Sequence, residues 1–211
     1  EWLETGALFT GGWDGAVTRW DVRAKESKDS AHCGGKVFAM SLCGHSLVVG
    51  TSDRIVHTFD TRHLGEPVRR KESPLERQTR DLVAFGSDSY VVASIDGKIA
   101  FESPETTFSF KCHRKEGTAY PVNCVVARPP DHDNTSMSFA SGGADGRGNY
   151  WDPLNKRRLP CSPDHQFPSS ITALAFNEAG TKKIAIASSH AFELEGGDIP
   201  PLAPPNQIFI L

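Results

Sequence analysis

Residues 11–21 read GGWDGAVTRWD, and a phrase of this form recurs along the 211-residue chain. In it a tight Asp-Gly turn follows a short apolar strand, and the next strand ends in an aromatic residue and an acid. Asp14 precedes Trp20 by six positions, and the same spacing recurs at residues 53–59 and 145–151. Glycine accepts the positive φ that such a turn requires. Each phrase therefore predicts a β-hairpin.

Two further copies of the phrase are weaker. Residues 94–97 read SIDG, and their aromatic residue, Phe101, comes one position early; residues 185–190 read AIASSH and are degraded. The turn positions of the five copies, 14, 53, 96, 145 and 190, lie 39 to 49 residues apart. A repeat of about 40–45 residues with this ending is typical of the WD-type β-propeller.

The segments between the phrases predict the innermost strand of each blade, because a strand buried on both faces is apolar throughout. They are residues 36–42, 81–85, 122–127 and 171–176. Helical periodicity is nowhere sustained, so we expect an all-β chain. We expect a single WD-repeat β-propeller domain over residues 1–211, with blades at about 1–25, 36–64, 81–103, 122–159 and 171–211. Seven such blades need about 300 residues, so we expect about five of seven blades, with the N-terminal part missing.

Composition argues against several classes of partner. The formal net charge is −3 and the pI is about 6.3, so the global basic charge of a non-specific nucleic-acid binder is lacking and we expect no nucleic-acid partner. No apolar run approaches the roughly 20 residues of a membrane span, so we expect no membrane partner. The cysteines are five in number and contain no Cys-x-x-Cys pair, which favours reduced thiols of an intracellular protein over a disulfide framework or a zinc site.

Three cations are candidates for binding a phosphopeptide. Lys111 and Arg114 flank Cys112 and His113, and Arg128 stands before two prolines at the end of a predicted strand. A phosphothreonine carries about −1.5 to −2 charge and three acceptor oxygens, and binding it requires two or more converging cations. From residue chemistry alone, solvated charges on a rim are the simpler interpretation.

Three other residues are candidates for binding an acidic peptide. Lys98 follows an Asp-Gly turn. Arg80 is equally well explained as an intramolecular partner of an acid such as Asp81 or Asp96. Trp13 lies at the tip of a turn, where a large aromatic residue anchors a partner or packs against a neighbouring blade.

A further group of residues predicts structure rather than catalysis. His113, Asp145 and Trp151 have the spacing of the His–Ser/Thr–Asp–Trp hydrogen-bond network of WD blades, and Asp14 and Asp53 are the corresponding turn acids. A His–Asp pair also occurs in hydrolases, but the sequence contains no Gly-x-Ser-x-Gly elbow, metal-binding histidine cluster or phosphate-binding glycine loop. We therefore expect no enzyme activity, no catalytic residue, no metal site and no cofactor.

Several segments together resemble one WD-repeat family. They are residues 61–65 (TRHLG), 69–73 (RRKES), 78–80 (QTR), 94–100 (SIDGKIA), 108–114 (FSFKCHR), 120–123 (YPVN), 152–159 (DPLNKRRL) and 184–189 (IAIASS). In unbroken order over essentially the whole chain, they resemble the spindle-checkpoint WD-repeat propeller family of the kinetochore, the third budding-uninhibited-by-benzimidazole protein family. The SIDGK and KCHR segments are shared with a sister family, the mRNA-export propeller of the nuclear pore, whereas YPVN and DPLNKRR favour the checkpoint family.

This resemblance implies an adaptor of the mitotic spindle-assembly checkpoint, located in the nucleus and at the kinetochore, with a cytoplasmic pool. Family members bind GLEBS-type peptides of checkpoint kinases and phosphorylated Met-Glu-Leu-Thr repeats of a kinetochore scaffold. Components of the checkpoint complex and its ubiquitin ligase are further implied partners. The resemblance places Lys111 and Arg128 near the phosphate. It places Lys98 where the family has Arg, which binds a carboxylate bidentately as Lys cannot. The alternative is an mRNA-export adaptor with some nucleic-acid contact.

Overall fold

The computed structural model describes residues 2–3, 6–24, 26–129, 137–160, 166–177, 183–190 and 204–211. Within these residues the regular secondary structure consists of antiparallel β-strands, which confirms the all-β prediction. In the same residues we find no helix with the length and hydropathy of a membrane span. The chain divides into two compact units, of which the first holds residues 1–94 and 99–110 and the second holds residues 95–98 and 111–211.

The first unit is built on three four-stranded sheets, each with its strands in chain order, except that Lys98 and Lys111, at the ends of two strands, belong to the second unit. Sheet 1 consists of β1 (Trp2–Leu3), β2 (Ala7–Gly11), β3 (Ala16–Asp21) and β4 (Glu26–His32). Sheet 2 consists of β5 (Val37–Cys43), β6 (Ser46–Thr51), β7 (Ile55–Asp60) and β8 (Arg69–Glu72). Sheet 3 consists of β9 (Thr79–Phe85), β10 (Ser89–Ser94), β11 (Lys98–Glu102) and β12 (Thr107–Lys111).

The second unit begins with a short hairpin and continues with two sheets. The hairpin consists of β13 (Arg114–Lys115) and β14 (Thr118–Ala119). Sheet 4 consists of β15 (Val122–Ala127), β16 (Phe139–Gly143), β17 (Gly148–Asp152) and β18 (Arg157–Leu159). Sheet 5 has three described strands, β19 (Ser170–Phe176), β20 (Ile184–Ser189) and β21 (Gln207–Ile210).

The five sheets follow one another as the five predicted phrases do. In sheets 1–4 the turn acid of the phrase lies between the second and third strands; these acids are Asp14, Asp53, Asp96 and Asp145. The four apolar segments form β5, β9, β15 and β19, each at one edge of its sheet. Within the units β5 contacts β9 and β15 contacts β19, as innermost strands of adjacent blades do. The succession of WD-type propeller sheets is therefore confirmed.

The central strand β6 shows why the first unit needs apolar residues at successive positions. All of its residues are buried. Leu47 and Val49 pack in one cluster with Phe9, whereas Val48 packs in another cluster with Tyr90. Successive side chains of a strand point to opposite faces, so sheet 2 packs against sheet 1 on one face and against sheet 3 on the other. Each fully buried side chain of this kind contributes roughly 1.5–3 kcal/mol.

The acid that ends the phrase in sheet 3 differs in role from the acids of the other sheets. Asp21, Asp60 and Asp152 each accept a hydrogen bond from a backbone N–H in the turn that follows. In sheet 3 the hydroxyl of Ser103 accepts the corresponding bond, from the Thr106 N–H at 3.1 Å. The preceding acid is thereby free to point inward.

Glu102 is that acid, and its carboxylate is fully buried. It accepts hydrogen bonds from Arg69 Nη2 at 3.1 Å, from the Lys71 ammonium, and from the Thr107 hydroxyl at 2.7 Å. Arg69 and Lys71 belong to β8 of sheet 2. A buried carboxylate thus joins two sheets of the first unit, with its charge neutralised by two cations.

We expect Glu102→Ala to lower the free energy of unfolding by about 2 kcal/mol, because two cations lose their partner and a buried space is left. The value lies below the range of about 3–5 kcal/mol for a fully buried pair, since the Arg69 and Lys71 side chains are each about a third exposed. Urea unfolding of the chain measures it. Glu72→Ala is the matched control: its pair with Arg54 is exposed, and we expect a change within about 0.5 kcal/mol. Equal losses in the two variants would contradict this role for Glu102.

Candidate functional site

A hydrogen-bond network centred on a buried histidine lies in the second unit. His113 Nδ1 is 2.9 Å from Asp145 Oδ1, and its Nε2 is 2.8 Å from the Ser141 hydroxyl. The indole N–H of Trp151 donates to the same hydroxyl at 2.8 Å. A carboxylate only accepts, so in the neutral imidazole Nδ1–H donates to Asp145 and Nε2 accepts from Ser141. The network joins three of the residues predicted for it and adds Ser141, which opens the SGGADG phrase and is the serine that the spacing left unassigned.

The network holds His113 in an unusual backbone conformation. Its φ is +45°, in the left-handed region that non-glycine residues seldom adopt. A Cβ on Gly143 would lie 2.2 Å from His113 Nδ1, so the imidazole fills the space that a side chain would need. The hydrogen bonds to Asp145 and Ser141 thus secure a turn that is strained by roughly 1 kcal/mol or more.

The residues around His113 form a basic surface, which we call the basic rim and define as Lys111, Arg114 and Lys115. All three are exposed, whereas Cys112 and His113 between them are buried. The hairpin β13–β14 carries Arg114 and Lys115, and the structure brings them together with Lys111 on one short segment. Lys115 was not singled out by sequence reasoning, although its position next to Arg114 is a visible signal.

A single acidic turn links the basic rim with Lys98. The Arg114 side chain donates from Nη2 to the backbone oxygen of Asp96 at 3.1 Å, and Lys98 Nζ lies 3.0 Å from Asp96 Oδ2. The Cys112 N–H donates to the Gly97 oxygen at 2.9 Å. The turn after β10 is therefore fastened to the segment that carries the basic rim.

Arg128 lies apart from the other phosphopeptide candidates. It follows β15 directly, and its N–H donates to the Ser138 oxygen at 2.9 Å. The opposite end of β15, at Val122, pairs with Gly143 beside the imidazole of His113. Six residues of extended chain span about 20 Å. The structure therefore brings Lys111 and Arg114 together, but it places the backbone of Arg128 at the far end of the strand.

Two of the candidates for binding an acidic peptide belong to the first unit. Trp13 is 72% exposed, so it is not packed into that unit. The ammonium of Lys36 lies 5.0 Å from the centroid of its indole. Arg80 lies in β9 and is partly buried.

The turn acids of sheets 1 and 2 each bind their own turn. Asp14 Oδ1 accepts from the Ala16 N–H at 3.0 Å, and Asp53 Oδ1 accepts from the Thr51 hydroxyl.

The thiol next to His113 does not have the properties of a nucleophile. Burial, and to a smaller degree the charge of Asp145, raises the pKa of Cys112 well above its usual range. The thiol therefore stays protonated, and it is the thiolate that reacts. His113 is turned instead toward Ser141 and Asp145. Among the described residues we find no group of three or more His, Cys, Asp or Glu side chains that could hold a metal ion.

Comparison with known proteins identifies clear relatives, although no protein-family model matches the chain. The chain is 37% identical over 204 residues to "Mitotic checkpoint protein bub-3" of Caenorhabditis elegans, and the match covers 89% of the chain and 57% of that protein. It is 37% identical to "Mitotic checkpoint protein bub3" of Dictyostelium discoideum, with coverage of 98% and 63%. The chain thus spans less than two thirds of the length of these relatives.

A second group of relatives and a solved structure extend the comparison. The chain is 34% identical to "mRNA export factor GLE2" of Chaetomium thermophilum, over 84% of the chain and 51% of that protein. A chain of a crystal structure titled as a mitotic checkpoint complex matches with a TM-score of 0.71 at 17% identity. This match covers 89% of the present chain and 56% of the other, and it shows the propeller fold.

We expect Ser141→Ala to lower the free energy of unfolding by about 2 kcal/mol, because the part-buried Trp151 N–H and the buried His113 Nε2 both lose the hydroxyl that they bind. The Asn149 amide, 3.4 Å from His113 Nε2, compensates for this loss only in part. Thr10→Ala is the matched control. The Thr10 hydroxyl accepts the corresponding bond from the Trp20 indole at 2.8 Å, but both residues are exposed. Water therefore replaces the hydroxyl in the variant, and we expect the free energy of unfolding to fall by less than about 1 kcal/mol. Chemical unfolding of both variants makes the comparison, and a larger loss for Thr10→Ala would refute it.

We expect Gly97→Ala to loosen the attachment of the basic rim. Gly97 has a φ of +66°, and a Cβ there would lie 2.9 Å from the backbone oxygens of Cys112 and Tyr120. We expect faster hydrogen exchange of the Cys112 amide, which donates to the Gly97 oxygen. We also expect the free energy of unfolding to fall by about 2–3 kcal/mol. Gly117→Ala is the control, because Gly117 has a φ of +83° but a Cβ there would have no atom within 4 Å. We expect this variant to lose about 1 kcal/mol of unfolding free energy. Unchanged exchange at Cys112 in Gly97→Ala would count against the attachment.

Proposed function

We infer that this chain, a WD-repeat homologue of the Bub3 mitotic checkpoint proteins with the GLE2 mRNA export factors as a sister family, is a peptide-binding adaptor of the spindle checkpoint. The names of the relatives support the checkpoint role. Its place of action is the nucleus and the kinetochore, with a cytoplasmic pool, and its further partners are components of the checkpoint complex and its ubiquitin ligase. It binds proteins and does not catalyse a reaction, which fits the protonated Cys112 thiol beside His113.

The basic rim receives the phosphothreonine of phosphorylated Met-Glu-Leu-Thr repeats in a kinetochore scaffold. The observation that carries this proposal is the alternation in residues 111–115, where three exposed cations surround the buried Cys112 and His113. Because His113 is bonded to Ser141 and Asp145, the cations stand on a rigid segment. Cations held in place before binding need less ordering when they meet a phosphate with three acceptor oxygens.

Arg128 contributes to the same peptide at a different place. It follows the far end of β15, about 20 Å along the strand from the basic rim. An extended peptide of about six residues covers this distance. Arg128 therefore contacts an acidic or backbone group remote from the phosphothreonine, while Lys111 and Arg114 bind the phosphate.

Lys98, Arg80 and Trp13 bind the acidic GLEBS-type peptide of a checkpoint kinase. Lys98 already has a carboxylate partner in Asp96, so binding exchanges one carboxylate for another. An ammonium offers a point charge in place of the planar fork of Arg, so the peptide acid that Lys98 binds is held through single N–H···O bonds. Trp13 supplies an exposed aromatic surface of the kind that anchors partners.

We expect the phosphorylated scaffold peptide to bind the chain at least about tenfold more tightly than the unphosphorylated peptide, because two charge-assisted bonds contribute. The double variant Lys111→Glu, Arg114→Glu should abolish this preference. Arg128→Glu should lower the affinity for both peptides by a similar factor, since Arg128 contacts the peptide away from the phosphate. Isothermal titration of each peptide against each variant measures the affinities. Lys183→Glu, an exposed lysine elsewhere in the second unit, is the control and should bind as the parent does.

Two results would overturn the proposal. Equal affinity of the parent chain for both peptides would remove the phosphate from recognition. Salt-dependent RNA binding with no peptide binding would favour the export role, to which the GLE2 relative points.

A further inference from the structure

Trp13 differs from the other tryptophans whose side chains the structure describes. Trp20 and Trp151 use their indole N–H groups within their own sheets, toward the hydroxyls of Thr10 and Ser141. Among the described residues we find no hydrogen bond to the indole of Trp13, and 72% of the residue is exposed. The fold of the first unit therefore makes no use of this N–H and little use of this aromatic surface.

The backbone that presents Trp13 is nonetheless rigid. The Gly12 N–H donates to the Ala16 oxygen at 2.9 Å, and the Gly12 oxygen accepts from Gly15 and Val37 at 3.1 and 3.0 Å. Gly15 has a φ of +83°, and a Cβ there would lie 3.0 Å from the Gly35 oxygen. The exposed indole thus stands on a closed turn that is tied to the next sheet. A rigid anchor loses little conformational freedom when a partner binds.

Lys36 is held next to the indole by its own backbone. Its N–H donates to the Ser52 hydroxyl at 3.0 Å, and its carbonyl oxygen accepts from the Ser52 N–H at 2.9 Å. Its ammonium lies 5.0 Å from the centroid of the Trp13 ring, within the range of a cation–π contact. An ammonium over a ring face keeps N–H donors free for an anionic acceptor.

The turn acids of sheets 1 and 2 accept hydrogen bonds within their own turns. Asp14 accepts from the Ala16 N–H, and Asp53 accepts from the Thr51 hydroxyl. The ammonium of Lys36 lies over the indole, and the residue is exposed, so an incoming carboxylate can reach it.

We propose that Trp13 and Lys36 together form one docking point for an extended peptide in which an acidic residue lies two positions from a large apolar residue. In an extended chain, residues two apart lie on the same face about 7 Å from each other. The ring centroid and the ammonium are 5.0 Å apart, and the side chains of two such peptide residues need to converge by only about 2 Å to reach both. The apolar side chain packs on the indole while the acid binds Lys36. The inference rests on the proposed binding of an acidic kinase peptide and assigns Lys36 as a specificity-determining residue of that site.

A simpler explanation is that Lys36 and Trp13 only cover each other. In that case substitutions of Lys36 would alter local packing slightly, and no sequence preference in a bound peptide would depend on its charge. The two explanations differ in what they predict for the sequence of the ligand, and this difference is directly measurable.

The test is selection from a random heptapeptide display library on the full chain. The parent chain should enrich peptides with an apolar residue and an acid in positions i and i+2. Lys36→Glu should lose the acidic preference, Lys36→Arg should keep it, and Trp13→Ala should lose the enrichment altogether. For the most enriched peptide, the dissociation constant should rise about three- to tenfold in Lys36→Glu, as expected for one charge contact at a rim. Lys183→Glu is the charge-matched control and should leave it unchanged.

The outcomes separate this inference from the proposed function. If the parent enriches no such pattern, or if Lys36→Glu enriches the same pattern as the parent, the docking point is refuted. A synthetic GLEBS-type peptide is titrated in parallel against the parent and against Lys98→Glu. Failure of the parent to bind this peptide overturns the kinase-peptide proposal. The library result then still decides independently whether Trp13 and Lys36 form a docking point. Far-ultraviolet circular dichroism and the melting temperature of each variant establish that it is folded.

Discussion

The structure depends on one constraint: central strands of its sheets are buried on both faces. In β6 every side chain is enclosed, and neighbouring residues pack in two different hydrophobic clusters. The side chains of such strands are therefore buried in packing contacts, and exposed polar side chains are found in the turns between strands. This is why the exposed Trp13, the Asp96–Lys98 pair and the basic rim all lie at or beside strand ends.

A second regularity concerns the residue that faces the aromatic side chain of each phrase. In each of sheets 1–4 an aromatic residue lies near the end of the third strand and pairs with a residue of the second strand. The facing residue is the one two positions further along that second strand. The pairs are Trp20 with Thr10, Phe59 with Val49, Phe101 with Ala93 and Trp151 with Ser141. Where the aromatic residue has an N–H to satisfy, the partner is a hydroxyl; where it is phenylalanine, the partner is apolar. Removing donor and acceptor together leaves no buried group unsatisfied, so both versions of the pair are stable.

Function and stability meet at the segment 111–115. The buried His113 network fixes a left-handed backbone residue, and the flanking exposed cations are positioned by it. Lys98 and Arg114 converge on the turn at Asp96. Lys98 and the basic rim therefore share one structural support in the second unit, and the rigidity that favours binding comes from residues that need not touch a partner.

The sequence by itself determined the sheets and their hairpins, because strand burial and tight turns follow local rules: alternation of side chains, apolar runs, and glycine or aspartate at fixed turn positions. It also identified His113, Asp145 and Trp151 as members of one network, since the repeat places them at regular spacing. The sequence also placed Lys111 and Arg114 together, because they are three positions apart. Only the tertiary structure decided how residues that are distant in sequence lie. Arg128 stands at the far end of β15 from that pair, and Lys36 lies over Trp13 although their positions differ by 23 in sequence. Such neighbourhoods depend on how strand ends from different sheets come together, and no local pattern of residues records that distance.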